Sequence, residues 1–274
     1  SNATVRCWGD NGAGQLGDGT DAYRTTPVSV SGITTATSVS AGSTHSCAAL
    51  NTGALACWGG NENGTLGNGT VVGALTPVNV SGIANGATVA AGHKHTCAVL
   101  TDGGVRCWGS NGYRQLGNGT LTTTSSKPVS VTGPTSVTAV AIGDSHACAI
   151  AGGVVKCWGR NNDGQLGTGT TNDSSLPVSV PGIASATAVA AGESHSCAVA
   201  GGAVKCWGRG TSGQLGNASS SSSSTPVTVS GITTATAVSV GRAHSCALLT
   251  GGSVRCWGAN STLGNGSSAA SSTP

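Results

Sequence analysis

Short apolar runs alternate with Gly-rich polar turns along the whole chain, and none of the runs has helical periodicity. The runs come in fours. A Pro-Val-x-Val segment leads, as at Pro177–Val180. An Ala/Val/Ser run ending in Gly follows, as in Thr187-Ala188-Val189-Ala190-Ala191-Gly192. Then comes a His-x-Cys run, such as His195-Ser196-Cys197, and last a run ending in Cys206-Trp207-Gly208. Each run is long enough for one β-strand, and good helix formers are scarce.

The four runs recur as a unit. Trp8, Trp58, Trp108, Trp158, Trp207 and Trp257 are spaced by 50, 50, 50, 49 and 50 residues, each between a Cys and a Gly. His-x-Cys recurs at His45, His95, His146, His195 and His244. After each Trp comes a turn of the type Gly14-Gln15-Leu16-Gly17, echoed at Gly64–Gly67 and Gly164–Gly167. A period of about 50 residues with four strands predicts an all-β chain of propeller blades. The composition fits a copied blade: 46 Gly, no Phe or Met, and only 8% charged residues.

The register of one hairpin can be worked out from its turn. If Gly152-Gly153 is a two-residue turn, facing residues sum to 305, so Cys148 faces Cys157 in a non-hydrogen-bonded pair. Cys197 and Cys206 repeat this around Gly201-Gly202. Cys47/Cys57, Cys97/Cys107 and Cys246/Cys256 are one residue wider. A three-residue turn such as Thr101-Asp102-Gly103 restores their facing. Five disulfides are therefore expected, with Cys7 unpaired, and they point to an oxidising, extracellular setting. Two alternatives stand beside this. One His and two Cys per unit are zinc-ligand types, although no C-x-x-C knuckle and no repeating fourth ligand accompanies them. Free thiols could also pack as small apolar groups.

Val-Arg-Cys-Trp-Gly, the following Asn-x-x-Gly-Gln-Leu-Gly and the upstream Ala-Gly-x-x-His-x-Cys-Ala together resemble the regulator of chromosome condensation repeat family. The resemblance covers residues 4–274. It implies a β-propeller, commonly of seven blades. Six Cys-Trp-Gly motifs against five His-x-Cys motifs suggest five to six blades here, or part of a seven-bladed ring. They also leave open a monomer or a homodimer whose strands complete each other. Residues 4–274 are read as one domain, and Ser1-Asn2-Ala3 as the scar of an expression tag.

A residue present in every blade is explained first by the blade. The histidines are read as tying a turn to a backbone carbonyl, and the tryptophans as packing between blades. Gly12–Gly17 matches a dinucleotide fingerprint but opens no helix, so no cofactor is expected. No nucleophile–base–acid set stands apart from the repeat, so no catalytic residue and no metal site is assigned. The +3 charge is spread thinly and no apolar run could span a membrane, which leaves neither a nucleic-acid footprint nor a span.

Function is sought where the blades differ. One loop set precedes each His and contains His93, Lys94, Asp144, Glu193 and Arg242. Another follows Trp-Gly and contains Tyr113, Arg114, Arg160, Asp163 and Arg209. Varied polar side chains with an occasional Tyr or Arg suit recognition of a protein. The expectation is a secreted, non-enzymatic protein-binding propeller. The resemblance offers two others: an exchange factor for a small GTPase, as for the family's founding member, and a propeller inhibitor of β-lactamases.

Overall fold

Gly-Gly and Thr-Asp-Gly turns set the strand pairing from which everything else is built. The computed structural model describes residues 3–259 and 263–274, and among them there are 21 strands and no helix. These residues fall into two compact units, Ser1–Gly112 with Leu116–Thr132, and Tyr113–Gln115 with Gly133–Pro274.

The first unit opens with β1 (Arg6–Gly9) and β2 (Arg24–Ser29), paired as a two-stranded sheet. Two four-stranded antiparallel blades follow. One runs β3 (Ala36–Ala41), β4 (His45–Leu50), β5 (Leu55–Gly59), β6 (Ala74–Asn79). The other runs β7 (Gly86–Ala91), β8 (His95–Leu100), β9 (Val105–Ser110), β10 (Thr124–Ser130). The Ala3 carbonyl accepts the Ala36 N–H at 3.1 Å.

The second unit contains two more four-stranded blades. The first is β11 (Val137–Ile142), β12 (His146–Ala151), β13 (Val154–Gly159) and β14 (Ser174–Ser179). The second is β15 (Ala186–Ala191), β16 (His195–Ala200), β17 (Ala203–Gly208) and β18 (Ser223–Thr228). It ends in a three-stranded sheet of β19 (Ala235–Val240), β20 (His244–Leu249) and β21 (Val254–Gly258). The Ser-rich stretch at 218–224 runs directly into β18.

The hairpin arithmetic holds. Cys148 faces Cys157, Ala149 faces Lys156 and Ile150 faces Val155. Gly152 and Gly153 both have positive φ, 57° and 79°, as the tight two-residue turn requires. In the wider hairpin Leu100 pairs with Gly104 across a three-residue turn whose last member, Gly103, has φ 78°. Disulfides join Cys47–Cys57, Cys97–Cys107, Cys148–Cys157, Cys197–Cys206 and Cys246–Cys256, with Cα separations of 4.0–4.1 Å, and Cys7 is free. These ten sulfurs are bonded to each other in pairs.

Each core cluster forms between successive sheets. In the second unit, Cys148, Ile150, Val155, Cys157 and Leu166 of one blade pack with Ala198 and Trp207 of the next. The bridge sulfurs and the indole supply the volume that Phe and Met fill elsewhere. The Gly after Leu is part of this packing. Gly67 has φ 67°, and a Cβ there would lie 2.7 Å from the Trp108 Nε1.

Candidate binding face

The two variable loop sets, separate in sequence, meet at one end of every blade. The strand pairing brings His146 opposite Gly159, so the residue before the one and the residue after the other become neighbours. Their backbones bond. Gly60 N–H donates to Thr44 O at 2.7 Å and Ser110 N–H to Lys94 O at 2.8 Å. In the second unit, Arg160 N–H donates to Ser145 O at 2.9 Å and Arg209 N–H to Ser194 O at 2.8 Å. The close approach needs the Trp-Gly glycine: Gly159 has φ 102°, and a Cβ there would lie 2.6 Å from Ser145 O. The hairpin turns lie at the opposite end of each blade.

Buried amides give the longer of these loops its shape. Asn61 Oδ1 accepts the Leu66 N–H at 2.9 Å, and its Nδ2 donates to the carbonyls of Thr70 and Val72. Asn161 makes the same set, to Leu166, Thr170 and Asn172. Sequence reasoning gave these asparagines no role, although an Asn three residues after five of the six Trp was the available signal. Gln115 Oε1 holds the Tyr113 N–H at 2.8 Å, which fixes the loop that presents Tyr113 and Arg114.

Beneath the loops, blades are stitched by a repeated relay. Ser196 Oγ donates its one proton to Gln165 O at 3.0 Å, and Trp207 Nε1 donates to the same carbonyl at 2.8 Å. His146 Nε2 lies 2.8 Å from Ser196 Oγ. With the hydroxyl proton committed, His146 must be the donor, so its proton sits on Nε2. His45 to Thr96 and His195 to Ser245 repeat the contact at 2.8 and 2.9 Å. The carbonyl partner expected from sequence is thus one step further on, reached through a hydroxyl of the next blade. Burial pushes the imidazoles down, to about 4 for His45, about 3 for His146 and about 4 for His195, with the neighbouring His195 and His244 adding to the effect on the last two. Ser196→Ala should cost about 1–3 kcal/mol in urea unfolding by leaving the His146 N–H buried without an acceptor. Ser196→Thr should cost much less, because Thr96 makes the same bond.

The polar side chains above the relay gather within each unit. In the first, Thr44, Glu62, Asn63, His93 and Lys94 line a cavity of about 150 Å³. In the second, Glu193, Ser194, Arg209 and Arg242 line one of about 170 Å³. Arg242 is ion-paired with Glu193, and that contact, reinforced by Asp144, raises the guanidinium's pKa. Arg160 lies 4.9 Å over the Tyr113 ring, a cation–π contact at the blade end. Arg114 and Asp163 stand on the same loops but line neither cavity; the Asp163 N–H is held by Gln165 Oε1 at 2.9 Å.

The model of the RCC1-like domain family matches residues 1–274. No curated protein matches the sequence. Among solved structures, human WBSCR16 superposes with a TM-score of 0.87 at 22% identity, over 99% of this chain and 79% of that one. Yeast RCC1 (Prp20) bound to Kap60 gives 0.60 at 17% identity, over 100% and 83%. Prp20p from Saccharomyces cerevisiae, described together with its binding to Gsp1p and histones, gives 0.59 at 18% identity, over 100% and 85%. At these identities the likeness carries the β-propeller fold and nothing finer.

Proposed function

The chain belongs to the RCC1-like domain family, and from that premise we propose that it is a non-enzymatic protein-binding propeller module whose partner sits on the loops at the Trp-Gly end of its blades. The observation that carries this is the merging of the two variable loop sets into one end of each blade, over a relay that repeats with little change. Invariant residues support the scaffold, while Lys94, Tyr113, Arg160, Glu193, Arg209 and Arg242 differ from blade to blade. Tyr and Arg are the side chains that most often anchor a protein interface, and the ring of Tyr113 held under Arg160 is preorganised for that use. Yeast RCC1, of the same fold, is known bound to Kap60, so a protein partner is plausible for a member of this family.

We place this activity in an oxidising compartment, outside the cell. Five disulfides, four of them buried, are a poor fit to a cytosol that keeps thiols reduced, which also weighs against the nuclear exchange-factor reading.

The test is affinity capture from the extracellular fluid of the source organism, followed by titration of the captured partner. Charge reversal at Lys94, Arg160 and Arg209 should weaken binding at least about tenfold. Lys127→Glu, on the outer strand β10, should leave it unchanged. Wild-type affinity in all three face variants would remove the basis for the reading.

A further inference from the structure

In the loop after β1, an acid and an amide form a pair. Gln15 Oε1 accepts the Ala13 N–H at 2.8 Å, and its Nε2 donates to Asp10 Oδ2 at 3.1 Å. In the second unit an arginine stands in the place of that acid. Arg209 follows Trp207 as Asp10 follows Trp8, and Gln214 matches Gln15. Gln214 keeps half of the pattern: its Oε1 accepts the Ser212 N–H at 2.8 Å. No acceptor for its Nε2 is found among the described residues, although the residue is only 1% exposed. One blade earlier the same exchange has the same effect. Arg160 stands in the acid's place, and Gln165 Nε2 is buried without a partner.

Gln214 lines the cavity of about 170 Å³ that also takes in Glu193, Arg209, Ser212 and Arg242. Donors outnumber acceptors there. Arg242 Nε is ion-paired with Glu193, which commits the one carboxylate of the lining. Arg209 Nε donates to Thr211 Oγ1 at 3.1 Å, which orients its guanidinium, and no acid pairs with it among the described residues. The terminal nitrogens of both arginines and the Gln214 amide are left as donors along one cavity. Two guanidiniums and one carboxylate leave the lining a single positive charge.

We propose that this cavity binds one carboxylate group, the end of an acidic side chain on a partner polypeptide, in the place that Asp10 holds beside Gln15. The carboxylate oxygens accept from Gln214 Nε2 and from Arg209, and Arg242 adds charge from the rim. Arginine–carboxylate bonds are charge-assisted and among the stronger hydrogen bonds a surface can offer. A monoanion neutralises the lining, whereas a phosphate dianion would leave it negative. The polypeptide source of the carboxylate rests on the loop-face reading; the preference of the cavity for a carboxylate does not.

The probe is N-acetyl-glutamate N-methylamide, titrated into the isotope-labelled oxidised chain and followed by nitrogen–proton NMR. N-acetyl-glutamine N-methylamide and inorganic phosphate are titrated alongside. We expect the Gln214 side-chain amide and the Arg209 Nε resonances to shift saturably with the glutamate probe, in roughly the millimolar range. Gln214→Thr assigns the amide by its loss, and Thr65 shows that the fold accepts threonine at the matching position. The glutamine probe should bind at least about tenfold more weakly, as should the glutamate probe to Arg209→Gln or to Gln214→Thr. Equal affinity for the two probes would overturn the proposal, as would phosphate binding more tightly than glutamate. So would shifts that leave Gln214 and Arg209 unmoved. If the captured partner protects the Trp-Gly loops while the glutamate probe does not bind, the carboxylate site is wrong and the loop-face reading stands. If the probe binds while the captured partner leaves those loops unprotected, the loop-face reading and the polypeptide source are wrong and the carboxylate site stands.

Discussion

Full reduction of the five disulfides should unfold the protein in little or no denaturant, whereas the oxidised protein should require several molar urea. Each bridge spans 9 or 10 residues, and closing a loop of that size stabilises by about 2–3 kcal/mol through the entropy of the unfolded chain. Five such terms approach the ~5–15 kcal/mol that an ordinary domain has in total. The core has little to replace them: no Phe or Met is present, and four of the five bridges are themselves wholly buried in it. Urea titration by tryptophan fluorescence before and after reduction checks this, with thiol counting to confirm eleven free groups. An unchanged midpoint with all thiols free would show that packing alone holds the blades.

Acid should destabilise the oxidised protein steeply between about pH 6.5 and 4. In the unfolded chain a histidine takes up a proton near 6.5, while the folded values fall to about 4, 3 and 4 for His45, His146 and His195. Between those limits the unfolded state binds more protons, so stability falls as pH falls, and it is fully present only above about 6.5. The physical cause is that Nε2–H is already spent on a hydroxyl, and Nδ1 is buried with no partner for a second proton. Each histidine contributes a slope of about 1.4 kcal/mol per pH unit, so the three together reach about 4. Urea midpoints at pH 7.5, 6 and 5 should drop accordingly, and His146→Gln should flatten the profile by about a third. A midpoint that stays level from pH 7.5 to 5 would mean the imidazoles can be protonated in place.

Much of this was legible in the sequence because β-hairpins obey arithmetic. Gly152-Gly153 fixes a sum, and the sum pairs Cys148 with Cys157. It also pairs His146 with Gly159, so the meeting of the two loop sets was implicit in numbers already present. What escaped was interaction between blades, which no register within one blade contains. The histidine partner lies about fifty residues away, at the middle position of the next His-x-Cys: Thr96 for His45, Ser196 for His146, Ser245 for His195. Four of the five middle residues are hydroxyl-bearing, and Ala147 is the exception. The bias was visible, but only geometry gives it a purpose. Asn61 and Asn161 were hidden differently, since an Asn in a Gly-rich loop reads as turn chemistry until its amide is seen to be buried and saturated. The ion pair of Glu193 with Arg242 joins successive blades and was equally out of reach.

The central claim is that partner binding occurs at the Trp-Gly end of the blades. Its most direct test is hydrogen–deuterium exchange of the oxidised chain with and without the captured partner. The account predicts slowed exchange at residues 43–44, 60–65 and 93–94 of the first unit and at 144–145, 160–164, 193–194 and 209–213 of the second. The hairpin turns at 51–54, 101–104, 152–153 and 201–202 should be unaffected. Protection confined to those turns, with the Trp-Gly loops exchanging as in the free protein, would contradict it.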